Sequence, residues 1–250
     1  MPRRAALAVA SLIAVVAGCS SDSDANPNAE TVTVFAASSL TDVFDDLGSV
    51  FERRNRGIEL SFAFAASSDL VTQLEQGARA EVFASADEVS MKRALDANLV
   101  AGDPQILARN ELEIIVPAEN PGGVTGLADL ANEDLVLTIC SRECPAGRYA
   151  LEIFENAGIS IAPDSLEAEV KGVVTRVALG EADAGIAYVT DTRAAAGEIV
   201  GIPIPDDDAV IASYPIAALS GSSGAASRWI DFVLSGEGQR ILRRYGFLPP

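Results

Sequence analysis

Histidine is absent from all 250 residues. The imidazole ligands of most metal centres and the usual Ser-His and Cys-His catalytic pairs are therefore excluded. Basic residues are scarce: 18 Lys and Arg stand against 36 Asp and Glu, for a formal net charge of −18. A chain this acidic is a poor partner for nucleic acid. Aromatics make up only 6 % of the sequence, with a single Trp, against a hydrophobic content of 49 %; this aliphatic bias suits layered α/β architecture. Beyond Cys19 no segment is apolar for long enough to span a bilayer.

Cysteine is also rare, at three residues, and each has a context. Arg3 and Arg4 followed by an apolar stretch over residues 5–17 have the form and length of an export signal. The segment Val16-Ala17-Gly18-Cys19 resembles a lipobox, in which cleavage before Cys19 leaves a diacylated cysteine as the first residue of the mature chain. The alternative is an ordinary secretory signal that happens to contain a Cys. Residues 20–30 carry no large apolar side chain, which reads as a flexible acidic tether. Loss of Arg3 and Arg4 with the signal takes the net charge to −20. Cys140 and Cys144, four residues apart in an exported chain, are read as a local disulfide rather than as a metal site.

From residue 31 onward strand and helix patterns alternate, the mark of an α/β fold with mainly parallel sheets. Strands are expected at residues 31–35, 58–64, 81–84, 111–117, 135–139, 184–189, 199–204 and 210–217, with an edge strand near 167–170. Helices are expected at 40–54, with Val43, Phe44, Leu47, Val50 and Phe51 on one face, at 70–76, at 87–97 with Asp87 as N-cap, after Pro145, and at 172–179, 225–234 and 237–245.

Three strand-to-helix turns share one design: Phe35-Ala36-Ala37-Ser38-Ser39, Phe64-Ala65-Ala66-Ser67-Ser68 and Cys144-Pro145-Ala146-Gly147. Small residues there leave the first backbone N–H groups of a helix unpaired at its positive end, a ready anion site. Three or four such termini converging would supply roughly +1.5 to +2 charges, without any Lys or Arg. The −20 net charge does not prevent this, because surface charges beyond about 8 Å are screened at physiological salt. The plainer alternative is that each Ser caps its own helix.

These turns, with Ala84-Ser85-Ala86-Asp87, Pro145-Ala146-Gly147-Arg148-Tyr149-Ala150, the segment from Gly180 to Tyr188, and Arg244-Tyr245-Gly246-Phe247, resemble the molybdate-binding proteins of ABC importers. The resemblance runs from residue 32 to the C-terminus. It implies a two-lobed type II periplasmic-binding-protein fold, each lobe a mostly parallel sheet flanked by helices, with the ligand cleft between them. The lobes would be residues 31–110 plus 214–250, and 111–213, after a signal peptide at 1–18 and a tether at 19–30. It further implies that molybdate or tungstate meets the hydroxyl and amide of Ser39 and of Ser67, the amides of Ala146 and Val170, and the Tyr188 hydroxyl. Ser38 and Ser68 are the neighbouring registers. An apolar Val170 implies plain tetrahedral binding, with the molybdenum held only through its oxygens and no cofactor.

The implied partner is a membrane permease, served by a monomeric carrier anchored through a lipid on Cys19. Arg148 is read as pairing with a surface carboxylate rather than facing the ligand. Carriage of sulfate, phosphate or Fe(III) is the competing function within the class. A secreted hydrolase is the competing reading outside it; without His it would need a Ser-Lys pair, and the only lysines are Lys92 and Lys171.

Overall fold

The computed structural model describes residues 29–250; the signal and tether expectations, Cys19 included, lie outside them. The chain runs β1 (Glu30–Ala37), a 3-10 turn (Ser38–Leu40), α1 (Thr41–Arg54), β2 (Ile58–Ala65), α2 (Ser67–Glu75), β3 (Val82–Ala84), α3 (Glu88–Asp96) and β4 (Val100–Pro117). It continues with β5 (Leu137–Cys140), α4 (Pro145–Asn156), β6 (Ser165–Glu167), α5 (Val170–Ala178), β7 (Ala184–Tyr188), α6 (Val189–Ala194), β8 (Ile199–Pro203), β9 (Ile211–Leu219), α7 (Gly224–Leu234) and α8 (Gly236–Tyr245).

Two sheets share one long strand. In the first, β2, β1 and β3 are parallel, β9 is antiparallel to β3, and β4 is antiparallel to β9. In the second, β7, β5 and β6 are parallel, while β4 pairs antiparallel with both β7 and β8. β4 hands over between them, since Glu111 pairs with Ile211 of β9 and Leu112 with Tyr188 of β7. The βαβ crossovers place helices on the sheet faces and leave helix N-termini at the carboxyl ends of the parallel strands, where open α/β sheets bind ligands.

Helix α1 forms where Val43, Phe44, Leu47 and Phe51 recur at helical spacing, and all four are buried. Phe44 and Phe51 meet Trp229 of α7 edge-on, with ring centroids 5.5 and 5.4 Å apart. Each such aromatic pair adds about 0.5–1.5 kcal/mol beyond its buried area. α3 starts at the expected cap: Asp87 accepts the Ser90 amide at 3.0 Å.

Three expectations change. β4 begins at Val100, well before residue 111, because Gly102 at φ 78° and the donor-less Pro104 interrupt the alternation; the β4–β9 register shifts between Ala101 and Gln105. The edge strand near 167–170 ends at Glu167, and Val170 instead opens α5. The strand expected at 184–189 stops at Tyr188, where α6 begins. Among the described residues no helix is long and apolar enough to cross a membrane.

Candidate functional site

Ser39, Ser67, Ala146, Val170 and Tyr188 line one cavity, together with Ser38, Ala37, Ala65, Ala66, Ala86, Cys144 and Pro145. Ser68 does not line it. The space open to the centre of a water-sized sphere is only about 10 Å³, far below the roughly 300–1,000 Å³ of pockets for drug-sized ligands. A sugar or peptide does not fit.

The helices that meet here have unpaired ends. The Ser38–Leu40 turn, α2, α4 and α5 start without any side-chain cap hydrogen bond, whereas Asp87 caps α3 and Ser235 caps α8. Ser39 and Ser67 therefore do not act as caps: both fall inside the first turn, after Ala37 and Ala66 as the boundary residues. Ser67 is fully buried, and its Oγ accepts the Ala86 amide at 3.0 Å. Its own proton is thereby free to point elsewhere. Ser39 Oγ lies 2.9 Å from Tyr214 Oη.

Pro at the first position of α4 removes a donor that would be unpaired anyway, and Ala146 supplies the next. Gly147 is required at the following position, since a Cβ there would stand 2.0 Å from the Ser141 carbonyl oxygen.

Tyr188 is 1 % exposed and its Oη makes no hydrogen bond. A buried hydroxyl without a partner carries a penalty of about 1–3 kcal/mol, so it marks where a ligand acceptor belongs. Burial pushes the phenol well above its ordinary pKa, with Tyr214 adding to the effect, and keeps it a neutral donor. No Lys, Arg, Asp or Glu lines the cavity. Around it, Asp191 is buried and accepts the Tyr188 amide at 3.3 Å; burial raises its pKa to about 6, against a lowering contribution from Lys171.

Arg148 is not a surface residue pairing with an exposed carboxylate. Its guanidinium donates to Asp87 Oδ2 through Nε at 2.9 Å and through Nη2, and to Ser90 Oγ at 3.3 Å. Asp87 is 2 % exposed. The pair joins α4 beside the second sheet to the start of α3 beside the first. Lys171 of α5 reaches Asp42 of α1 at 2.8 Å in the same sense, so two ion pairs cross the cleft.

Cys140 and Cys144 are free buried thiols, not a disulfide. Cys140 ends β5 and Cys144 bounds α4, and the turn between them is already closed by the Cys144 amide on the Ser141 carbonyl at 3.0 Å. The hydrogen bond to Cys144, with burial, holds the Cys140 thiol well above its ordinary pKa. Cys144 lines the cavity near the amides of Ala146 and Gly147.

The serine nucleophile reading loses its base. Lys92 pairs with Asp96 and Lys171 with Asp42, both at 2.8 Å. Among the described residues no cluster of three or more His, Cys, Asp or Glu could hold a metal ion. A groove of about 370 Å³ near Arg79 and Glu81 lies elsewhere.

Tyr214 and Asn110 were not legible as site residues. Each is a lone polar position in a strand, 104 residues apart, and the one available signal is a polar residue at a core-facing position.

A cleft between two joined α/β sheets, lined by small neutral residues and helix starts with no charged side chain, defines a protein that captures a small ligand. Residues 32–248 match the model of the bacterial extracellular solute-binding proteins, and the chain belongs to that family, which works outside the cytoplasm. It is 37 % identical over 249 residues to the molybdate-binding protein ModA of Mycobacterium tuberculosis strain H37Rv, covering 98 % of this chain and 95 % of that one. Identity to the molybdate-binding protein ModA of Escherichia coli K12 is 31 % over 227 residues, covering 86 % and 88 %. Among solved structures, the substrate-binding domain of a putative molybdenum ABC transporter from Clostridium difficile superposes with a TM-score of 0.67. That pair is 26 % identical, over 88 % of this chain and 99 % of that one.

Proposed function

We propose that this protein captures molybdate, and tungstate equally, outside the cytoplasm and delivers it to the permease of an ABC importer, acting as a monomeric carrier and not as an enzyme. The observation that carries the reading is the convergence of four uncapped helical starts and the unpartnered Tyr188 Oη on one small cavity with no charged lining. Each helix terminus acts as about +0.5 charge, so together they offset a doubly charged anion.

The oxyanion takes the hydroxyls and amides of Ser39 and Ser67, the amides of Ala146 and Val170, and the Tyr188 hydroxyl. Ser39 and Ser67 lie in a lobe of residues 31–110 plus 214–250, and the others in a lobe of 111–213, so the ligand itself draws the lobes together. The lining offers hydroxyl and amide donors and no carboxylate, which suits a fully deprotonated tetrahedral anion. A protonated phosphate leaves its hydrogen unpaired, at about 1–3 kcal/mol.

Lipidation of Cys19 holds the carrier at the membrane, and Cys19→Ala should release it with its affinity intact. Isothermal titration decides the ligand: molybdate and tungstate should bind at low micromolar concentration or tighter, with sulfate and phosphate as competitors. Absence of heat and of a thermal shift with both metal oxyanions defeats the assignment, and stronger binding of sulfate redirects it.

A further inference from the structure

Ser67 and Ser39 share a feature that the ligand set does not explain: each hydroxyl is met from behind by another polar group. Ser67 Oγ accepts the Ala86 amide at 3.0 Å. Ser39 Oγ meets Tyr214 Oη at 2.9 Å, and Tyr214 is fully buried. Behind Tyr214 stands Asn110, 1 % exposed, whose orientation is fixed because its Oδ1 accepts the Glu111 amide at 3.0 Å. Its Nδ2 therefore faces Thr190 Oγ1 at 2.8 Å and Tyr214 Oη at 3.5 Å.

The Asn110 amide proton 3.5 Å from Tyr214 Oη favours the arrangement in which that oxygen accepts from Asn110 and gives its own proton to Ser39. Were the direction reversed, Ser39 would turn its proton away from the cavity and present a lone pair to an anion. Tyr214 has little freedom to swing aside, since its ring is packed edge-on between Tyr188 at 5.8 Å and Phe247 at 5.5 Å.

We infer that Tyr214, oriented by Asn110, is a specificity-determining positioning residue: its proton on Ser39 Oγ turns the Ser39 proton into the cavity and makes that side of the site a fixed donor. The inference rests on the oxyanion-binding reading above and deepens it. Fully deprotonated tetrahedral anions are the ligand class such a donor selects. With Tyr214 removed as a donor, Ser39 can rotate and accept a proton from hydrogenphosphate, so discrimination narrows.

Y214F tests this, because it keeps the ring and deletes only the hydroxyl. Molybdate affinity should fall about 3- to 10-fold, the range of one neutral hydrogen bond. The molybdate-to-phosphate ratio, read by competition titration, should narrow by a similar factor. In a cycle with S39A the double variant should bind molybdate no more weakly than S39A alone, because Tyr214 acts through Ser39.

Thermal melts check that each variant folds; should Y214F not fold, N110A, which removes the orienting amide and leaves the ring, carries the same comparison. An unchanged ratio, or losses that add to those of S39A, overturns the positioning role while leaving the oxyanion reading in place. If the unaltered protein binds neither molybdate nor phosphate, the oxyanion reading itself has failed, and this inference with it.

Discussion

Replacing Arg148 by Met should weaken anion binding through the closed form of the cleft. Asp87 is 2 % exposed and the Arg148 side chain 28 % exposed. Removing one partner of a fully buried pair costs about 3–5 kcal/mol, because the other charge is left uncompensated. Two facts reduce that figure here. The guanidinium is partly open to solvent, and Asp87 keeps the Ser90 amide at 3.0 Å and the Ser85 hydroxyl at 3.3 Å. We therefore expect about 1.5–3 kcal/mol, or roughly 10- to 150-fold in affinity.

Because α3 and α4 sit beside different sheets, the loss should fall on the off-rate, measured by stopped flow, more than on the on-rate. Arg148 is also a cation near an anion site, and simple attraction makes the same prediction for R148M alone. Asp87→Asn separates the two causes. Asn is as good a helix cap as Asp, so α3 keeps its start while the ion pair is lost. If the pair holds the cleft closed, both variants bind molybdate more weakly. If only long-range charge matters, R148M weakens binding and D87N strengthens it. Opposite signs, or affinities within twofold of the unaltered protein for both, refute the closure argument.

Ser67→Ala strands the buried Ala86 amide and deletes a proposed ligand donor, so titration should show molybdate affinity down by about 1–3 kcal/mol, with a lower ligand-free melting temperature. Gly147→Ala puts a methyl group against the Ser141 and Cys140 carbonyls, which lie 2.0 and 2.6 Å from the Cβ position. It should destabilise the fold by about 1–3 kcal/mol and shift the Ala146 amide, read as a lower melting temperature together with weaker binding. Asp191 has its pKa raised from 3.8 to about 6 by burial, so the folded state holds a proton that the unfolded chain releases. The stability this contributes is fully present below pH 3.8 and is lost as the pH rises through about 6. Asp191→Asn should then raise stability at pH 7 by about 2–3 kcal/mol at most and change little at pH 4; equal differences at both pH values in thermal melts would contradict the assignment.

What the sequence discloses here is local, and what it withholds is paired across distance. The α1 face is readable because Val43, Phe44, Leu47 and Phe51 repeat at helical spacing within one segment. The Ala-Ser-Ser turns are readable because strand, small residues and helix follow one another directly. Arg148 was misread because its partner Asp87 lies 61 residues away, and Asp87 already had a sufficient local role as a cap. The full length of β4 was hidden because Gly102 and Pro104 look like a boundary, whereas β9 tolerates them through a register shift. The Cys140 and Cys144 spacing permits a bridge, but a turn closed by its own backbone bond satisfies the segment without one. Tyr214 and Asn110 show only a polar residue at a core-facing strand position, since the two side chains meet only where β9 and β4 pair.

The acidic surface and the uncharged site are two sides of one solution. A buried Lys or Arg in the cavity would bind a divalent oxyanion tightly but would stand unpaired, at a severe desolvation penalty, whenever the cavity was empty. Helix ends carry no such penalty, because their amides can be hydrated in an open cleft and need no counter-charge. On the proposed function, release to a permease would require only that the cleft open and water reach the donors, with no ion pair to break at the ligand. Two ion pairs, Arg148 with Asp87 and Lys171 with Asp42, are placed across the cleft instead. On the function proposed above, charge would govern how firmly the cleft closes and neutral donors what it closes on. Substitutions in the first group should change rates for all tetrahedral anions alike, and substitutions in the second should change the ranking among them.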